Sequence, residues 1–391
     1  MTTVAPAGSL LTFAVGGGWG DEEASAETTP CLVVRGTDLM SVRGGSLDSV
    51  PLRYETPKKM ASRALQEGDI ILEISGGSKG QPTGRTALVT QQLLDRSKHP
   101  VIPASFCRLL RPDRSQVHPR YLYYWLQEMY SSGRVWSYQN QSTGIANFQM
   151  KVFTQVEMVR LPPLEEQERI AGVLGAFDDL IETNRRLAQA AIGLQRAAFL
   201  RATEGLPRVP ISEVMQVEMG QSPPGDTYNF DGDGLPFFQG VKDFSDRYPA
   251  TRVYCSQPRR IAEPGDLLLA VRAPIGRVNV ATERCATGRG LAILRSGLPA
   301  IALQSLTAKA DLWAAYEDEG TVFSSINRKV ISDQRIRWTS DPDLARALEA
   351  LDELVLDCHE KNSALTRQRD ELLPLLMSGK VRVRDVEAGA S

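Results

Sequence analysis

A repeat inside the sequence constrains the fold more than any other feature. Two segments with helical patterning match at a constant offset of 178 residues, which aligns Asn184 with Asn362. The same offset pairs six further positions, most of them apolar: Ile170 with Leu348, Val173 with Leu351, Phe177 with Val355, Glu182 with Glu360, Leu187 with Leu365 and Leu194 with Leu372. A constant offset over so long a stretch indicates a duplicated chain.

A second repeat lies upstream of each helical segment. The stretch GDIIL at 68–72 corresponds to GDLLL at 265–269, at an offset of 197 residues. The change of offset indicates that the two copies carry different insertions, and the order along the chain is globule, helix, globule, helix. The predicted segments are a first globular domain at 1–163, a first long helix at 164–204, a second globular domain at 205–340, a second long helix at 341–380 and a C-terminal tail at 381–391.

Both helical segments carry start signals. Glu165 and Glu166 follow a Pro-Pro pair, where the positive end of the helix dipole favours carboxylates. The second segment begins with Asp341 as N-cap and Pro342 at the first helical position. We assign two apolar seams with heptad spacing: Ile170, Val173, Phe177, Leu180, Asn184, Leu187, Ala191, Leu194 and Ala198 in the first helix, and Leu348, Leu351, Val355, Cys358, Asn362, Leu365, Arg369, Leu372 and Leu376 in the second.

The matching asparagines predict how the helices pair. A lone buried Asn weakens a coiled coil but disfavours wrong registers, because any other alignment leaves its amide unpaired. We therefore predict that the two helices pack against each other as an antiparallel coiled coil, with Asn184 and Asn362 fixing the register.

Composition and charge restrict the class of protein. No apolar run is long enough to span a membrane, and the patch at Leu10–Val15 reads as a buried strand instead of a signal peptide. Five dispersed cysteines without a CxxC pair fit a reducing cytoplasm. The net charge of −2 is unevenly distributed: the two globular segments are mildly basic and the two helical segments are acidic.

The globules have a mixed α/β pattern with short strands and glycine-rich loops. In the second globule, strands are predicted at 235–240, 266–271 and 291–294. Arg, Lys and Gln cluster at the predicted strand ends, and these residue types can bind base edges or neutralise phosphate. The candidate DNA-binding residues are Arg35, Thr37, Lys79, Gln81 and Arg85 in the first globule, and Gln239, Lys242, Arg272, Arg277 and Arg289 in the second.

Motifs of catalysis are weak in this sequence. The glycine-rich stretch at 76–86 lacks the spacing of a phosphate-binding P-loop, and no amino-methyltransferase tetrapeptide is present. Asp69 and Glu73 fit a nuclease site poorly, because Ser75 stands where the expected lysine would be. The three histidines are isolated in the sequence, so they indicate no Ser-His-Asp or Cys-His catalytic arrangement. The sequence therefore predicts a protein that binds and positions, with no catalytic or metal site.

Several stretches resemble specificity subunits of type I restriction–modification enzymes. LPPLEEQERIAGVLGAFDDLIETNRRL, beginning at Leu161, resembles the first conserved helix of that family. GQSPPG at 220–225, GLPFFQGVKDF at 234–244 and PRRIAEPGDLLLAVRAPIGRVNVA at 258–281 resemble its second target-recognition domain. HEKNSALTRQRDELLPLLMSGKVRV at 359–383 resembles its second conserved helix. The resemblance spans essentially the whole chain, although GGGWG at 16–20 and RGTDL at 35–39 match only loosely.

The resemblance implies a fold and a function. The fold is mixed α/β (α+β): two target-recognition domains of similar fold, separated by two long antiparallel helices, with a pseudo-twofold internal repeat. Such a subunit is a non-catalytic reader of a bipartite double-stranded DNA target. Two methyltransferase subunits dock on its helices and use S-adenosylmethionine to methylate adenine N6, so this chain needs no cofactor. A motor-nuclease subunit joins in systems that cleave DNA.

Three alternatives remain open on sequence alone. The chain could serve a related type II-like or methylation-only system, or it could be a coiled-coil scaffold that never reads bases. A third alternative is a nuclease or methylase with a divergent site. Activity of the single chain without partners would favour that third alternative, and binding without preference over random DNA would favour the scaffold.

Overall fold

The computed structural model describes residues 2–77, 80–142, 145–309, 312–316 and 325–383. The chain divides into two units. The first unit comprises residues 1–186 and 359–391, and the second comprises residues 187–358. Both boundaries fall inside long helices. The five segment limits predicted from the sequence stay a prediction.

The first unit combines short strands with small helices. Its strands are β1 (Thr3–Pro6), β2 (Leu11–Gly16), β3 (Thr29–Val34), β4 (Leu52–Glu55), β5 (Ile70–Glu73), β6 (Ser75–Gly76), β7 (Thr86–Leu88), β8 (Val101–Pro103), β9 (Cys107–Pro112), β10 (Gln139–Ser142), β11 (Ile145–Phe148) and β12 (Met158–Leu161). Its smaller helices are α1 (Leu39–Arg43), α2 (Pro57–Arg63), α3 (Gln91–Leu94), α4 (Pro119–Ser131) and α5 (Met150–Val156). The long helix α6 (Leu164–Ala202) comes next.

The second unit repeats this pattern. Its strands are β13 (Arg208–Pro210), β14 (Gln216–Met219), β15 (Tyr228–Asn229), β16 (Leu235–Phe238), β17 (Tyr254–Cys255), β18 (Ile261–Ala262), β19 (Leu267–Ala270), β20 (Val278–Val280), β21 (Cys285–Thr287), β22 (Leu291–Arg295) and β23 (Arg335–Arg337). Its smaller helices are α7 (Ile211–Val214), α8 (Pro299–Thr307) and α9 (Arg328–Asp333), and the long helix α10 (Pro342–Ser378) comes after them.

Sheet topology confirms the internal repeat. The first unit has a four-stranded sheet in the order β2-β9-β5-β7, and the second has one in the order β14-β22-β19-β20. Each unit also has one parallel pair, β3 with β8 and β16 with β21. A two-stranded sheet joins the ends of each globule, β1 with β12 and β13 with β23. Equivalent strands therefore occupy equivalent places in both units.

The N-terminal strand differs from its prediction. A strand does form at Leu11–Gly16, but Thr12, Phe13 and Ala14 are exposed. β2 is an edge strand of its sheet, so one of its sides has no neighbouring strand. Apolar composition alone cannot distinguish an edge strand from a central one.

The first unit packs its globule on both long helices. Its largest core cluster joins Tyr121 and Tyr124 of α4 to Leu174 of α6 and Leu376 of α10. The Tyr124 hydroxyl donates to the carboxylate of Asp178, which also forms an ion pair with Arg369. The Asp178 carboxylate of α6 thus contacts side chains of both α4 and α10.

Asp341 caps the start of the second long helix, α10. The carboxylate of Asp341 accepts hydrogen bonds from the backbone N–H groups of Asp343, at 2.9 Å, and Leu344. These bonds satisfy donors that the first helical turn otherwise leaves unpaired. Pro342 occupies the first position of α10, where a missing N–H costs nothing.

The predicted seam of α6 is wrong at three of its nine positions. Leu180, Leu187 and Leu194 are 47%, 45% and 58% exposed, although the heptad assignment placed them inside. The more buried positions lie one residue later, at Ile181, Ala188 and Gln195. The next seam residue on a helix can lie three or four positions later. In α6, a buried or half-buried position lies four residues after each of Ile170, Phe177, Asn184 and Ala191. In α10 the predicted seam residues are all buried or half-buried.

The helices run antiparallel within each unit. In the first unit, Asn184 contacts Asn362, while the earlier residue Asp178 contacts the later residue Arg369. In the second unit, Phe199 shares a cluster with Ala345 and Leu348, and the earlier Ala191 shares one with Val355. None of the helices in the described part of the chain is both long and apolar enough to cross a membrane.

Candidate nucleic-acid interface

In the second unit, loops from several strands meet at one end of the sheets. Gln239 directly follows β16, and the backbone N–H of Gly288, after β21, donates to the Phe238 oxygen at 2.8 Å. The N–H of Val271, after β19, donates to the Gly290 oxygen at 3.0 Å. We call this end, formed by residues 239–243, 271–277 and 288–290, the second-unit edge.

The second-unit edge brings the five predicted residues onto neighbouring loops. Lys242, Arg272, Arg277 and Arg289 are exposed there, and Gln239 is half-buried beside them. None of these four cations forms an ion pair with any residue that the structure describes. The guanidinium of Arg277 donates to the backbone oxygen of Ser245, at 3.4 Å. Cations without carboxylate partners remain available for phosphate or base edges.

A buried carboxylate shapes this edge. Asp243 is 3% exposed and accepts the backbone N–H of Gln239 at 2.7 Å and that of Gly240 at 3.3 Å. It also forms an ion pair with Arg252. Gly290 is required close by, because a Cβ there would lie 2.2 Å from the Gln239 oxygen. The backbone that presents Gln239 is therefore fixed by its neighbours.

The first unit has an equivalent edge. The Ala104 N–H donates to the Val34 oxygen at 2.8 Å, as Gly288 does to Phe238 in the second unit. The Ile74 N–H donates to the Phe106 oxygen at 2.9 Å, as Val271 does to Gly290. We call residues 35–38, 74–77, 80–85 and 104–106 the first-unit edge.

Two predicted residues of the first-unit edge already have structural partners. Arg35 binds the buried carboxylate of Asp38 through two hydrogen bonds of 2.8 Å. Burial alone would raise the pKa of Asp38, but its hydrogen bonds with Arg35 outweigh burial and lower that pKa below its ordinary value. Arg85 binds Glu73, which is 1% exposed, with distances of 2.9 and 2.5 Å. The hydrogen bond with Glu73 raises the pKa of Arg85.

The remaining predicted residues of the first unit are Thr37, Gln81 and Lys79. Thr37 and Gln81 are exposed. Lys79 lies outside the described residues. DNA contact by all of the residues predicted in either unit stays a prediction.

The two acidic residues considered for a nuclease site are neutralised by separate arginines. Asp69 accepts two hydrogen bonds from Arg111, at 2.8 and 2.7 Å, and Glu73 binds Arg85. The second unit repeats the first of these pairs, since Asp266 binds Arg295 at 2.9 Å. Among the residues that the structure describes, no three His, Cys, Asp or Glu side chains are grouped as metal ligands. Asp69 and Asp266 therefore act as matching structural anchors.

On the helices, the two predicted register residues meet. The Asn184 side-chain amide donates to the Asn362 side-chain oxygen at 2.9 Å, and Asn362 donates to the Ile181 backbone oxygen at 3.2 Å. A second buried amide, Gln195, was not predicted from the sequence; it is fully buried and donates to Leu348 and Asp352. Its position, one residue after an apolar Leu194, gave no sign of burial.

A duplicated mixed α/β chain with exposed cations at its strand ends, unpaired among the described residues, is typical of the nucleic-acid-binding class of protein. Comparisons identify the family. The model of the type I restriction modification DNA specificity domain matches residues 51–191. A putative type I restriction enzyme MjaX specificity subunit from Methanocaldococcus jannaschii is 30% identical over 312 residues, covering 71% of each chain. The chain belongs to the type I restriction enzyme specificity subunits, as the sequence resemblance predicted.

Two further comparisons agree with this family. The type I restriction enzyme MjaVIII specificity subunit of the same organism is 21% identical and covers 63% of this chain and 67% of its own. The crystal structure of a type I restriction–modification S subunit from M. genitalium has a TM-score of 0.57 at 15% identity, covering 96% of both chains. At that identity the structural likeness shows the fold alone, and the fold is the predicted one.

Proposed function

We propose that this chain is the non-catalytic DNA-reading subunit of a type I restriction–modification complex. Each unit reads one half of a bipartite double-stranded target through its edge. The observation that carries the proposal is the second-unit edge, where four cations and one glutamine lie on adjoining loops and the cations have no carboxylate partner among the described residues. Arginine can bind guanine, and glutamine can bind adenine, through paired hydrogen bonds in the major groove.

The long helices have two tasks in this proposal. Through their pairing they set the number of unread base pairs between the half-sites, and they carry two methyltransferase subunits. The exposed leucines of α6, Leu180, Leu187 and Leu194, support the second task, because exposed apolar side chains in a row favour a protein partner over water. The methyltransferase partner supplies S-adenosylmethionine and the adenine N6 chemistry, so this chain uses no cofactor of its own.

Methylation mapping tests the base-reading part. The chain is expressed with its methyltransferase partner in a host, and methylated adenines are located across the genome. We expect one bipartite motif for the wild type. Arg272→Ala or Gln239→Ala should relax the motif in one half only, by about 1–3 kcal/mol of discrimination at the affected base pair. An unchanged motif in both variants would exclude these residues as readers.

A heptad insertion tests the spacing part. Seven residues add about 10.5 Å to a helix, which corresponds to about three base pairs at ~3.4 Å each. Inserting one heptad into both α6 and α10 should therefore lengthen the unread gap by about three base pairs and leave both half-sites unchanged. A gap of unchanged length would contradict a spacing role for the helices.

The related systems differ in the step after methylation. With a motor-nuclease partner, cells carrying the complete system restrict unmodified phage DNA. A methylation-only or type II-like system gives the same kind of methylated motif without ATP-driven restriction. Phage plating on cells with the full set of neighbouring subunits separates these alternatives, and a chain that shows no preference over random DNA would be a scaffold only.

A further inference from the structure

Phe106 is an exposed aromatic residue in a place where the backbone is fixed. It lies in the three-residue connection between β8 and β9, and its side chain is 62% exposed. Its backbone oxygen accepts the N–H groups of Ile74, at 2.9 Å, and Ser75, at 3.3 Å. The connection is further closed by the Cys107 N–H, which donates to the Ala104 oxygen at 2.8 Å. The ring is therefore presented to solvent by an ordered turn.

The position of Phe106 places it on the first-unit edge. Its counterpart in the second unit is Gly290. The Phe106 oxygen accepts the N–H of Ile74, which follows β5, and the Gly290 oxygen accepts the N–H of Val271, which follows the equivalent strand β19. Gly290 lies directly after the exposed Arg289. A side chain at 290 would collide with the Gln239 oxygen at 2.2 Å, so the second unit offers only backbone there. The first unit offers a phenyl ring at the same place.

The chemistry of the two edges differs accordingly. On the first-unit edge, Arg35 and Arg85 are occupied by Asp38 and Glu73. Ser75 is the counterpart of the exposed Arg272 in the second unit, because Ser75 follows Ile74 and Arg272 follows the equivalent Val271. An apolar ring on an edge whose described arginines, Arg35 and Arg85, are neutralised favours an apolar ligand group over a phosphate. In the major groove of DNA, the apolar group on the base edges is the C5 methyl of thymine.

We propose that Phe106 reads a thymine methyl group in the half-site bound by the first unit. This inference rests on the proposed function and specifies one of its contacts. The short connection fits contact with a base edge, because its backbone is held by hydrogen bonds from Ile74 and Ser75 while the ring is exposed.

The experiment uses the complex of the full chain with its methyltransferase partner. Arg272→Ala first identifies the half-site of the second unit, so the other half belongs to the first unit. Duplexes are then made in which each thymine of that other half is replaced singly by deoxyuridine, which removes only the methyl group. Methylation rates are measured at DNA concentrations below saturation, for the wild type and for Phe106→Ala.

The two losses should not add. For the wild type, one thymine position should lose about fourfold in rate, the value expected for one buried methyl-sized group. Phe106→Ala should lose a similar factor on normal DNA and lose nothing more when that thymine becomes deoxyuridine. Phe106→Leu should keep part of the effect and serves as a second variant if the alanine variant does not fold.

Phe230→Ala is the matched control. Phe230 is 81% exposed and belongs to the second unit, so it is not part of the first-unit edge. Its removal should leave every deoxyuridine effect unchanged. A first half-site without thymine, or additive losses in Phe106→Ala and Phe106→Leu, would overturn the proposal for Phe106 alone. Failure of the wild-type complex to methylate any motif would overturn the proposed function as well.

Discussion

Asn184 donates a hydrogen bond to Asn362 over 2.9 Å, and these two residues are each other's counterparts in the repeat, 178 positions apart. A contact between equivalent residues is isologous, the kind that otherwise joins identical subunits about a twofold axis. In the antiparallel pair, equivalent positions of α6 and α10 therefore contact each other at this point. A carboxamide suits such a contact because it has both a donor and an acceptor.

Removing one of these amides should cost more than removing both. We expect Asn184→Leu to lower the free energy of unfolding by about 1–2 kcal/mol, because the Asn362 oxygen loses its donor. The double variant Asn184→Leu/Asn362→Leu should recover most of that loss, since an apolar pair fits a helix seam. Urea denaturation of the three proteins provides the measurement.

The same double variant tests the predicted role in register. If the amides disfavour shifted pairings, methylation mapping of the double variant should show additional spacer lengths beside the wild-type one. A single, unchanged spacer length would argue that other contacts, such as the Asp178–Arg369 ion pair, fix the register.

Two adjacent residues of α6 should respond to substitution in the reverse order of their hydrophobicity. Gln195 is fully buried and donates to the Leu348 oxygen at 2.8 Å and to Asp352 at 2.7 Å, whereas Leu194 is 58% exposed. Gln195→Leu should destabilise the protein by about 1–3 kcal/mol through the lost hydrogen bonds. Leu194→Gln should change stability by less than about 0.5 kcal/mol. Thermal unfolding of both variants measures the two losses of stability. A larger loss for Leu194→Gln than for Gln195→Leu would support the original heptad assignment.

The arginines of the two edges should separate into structural and free groups. Arg85→Ala leaves the buried carboxylate of Glu73 without its partner and should destabilise the protein by about 3 kcal/mol. Arg272→Ala removes an exposed side chain and should stay within about 0.5 kcal/mol of wild type. Denaturation curves for both variants test this difference, and equal losses would contradict it.

Cys107 should be unreactive in the native protein. Burial, reinforced by Glu73, raises the pKa of its thiol to about 12, so the reactive thiolate is scarce at neutral pH. Iodoacetamide at pH 8.5 should alkylate Cys107 only after denaturation in urea. Because the folded thiol keeps its proton to higher pH than the unfolded one, its contribution to stability should fall as pH rises from about 9 to 12. Rapid native alkylation would contradict this burial.

The fold was largely predictable because its main signals can be read from the sequence pattern. The offset between Asn184 and Asn362, the cap at Asp341 and the strand at Leu267–Ala270 all follow from residue types at fixed spacing. Burial within α6 did not follow, because Leu180 and Ile181 are both apolar and either could face the seam. Only the packing of α6 against other elements decides between them.

The site was less predictable than the fold for a related reason. Arg35 and Arg272 look equivalent in sequence, yet Arg35 is bound to Asp38 and Arg272 has no carboxylate partner among the described residues. Whether a guanidinium is paired depends on groups brought near it by tertiary structure. Phe106 was not selected from the sequence, because an exposed phenylalanine cannot be told from a core one by its spacing alone.

The first unit consists of residues 1–186 and 359–391, so its two parts are separated by the whole of the second unit. Leu373, Leu376 and Met377, which belong to its largest core, leave the ribosome only after residues 187–358. At ~5–20 residues per second, that interval lasts on the order of 10–30 s. During synthesis, part of the apolar surface of the first unit therefore stays uncovered until residues 359–391 are made. The second unit can complete its folding before the first.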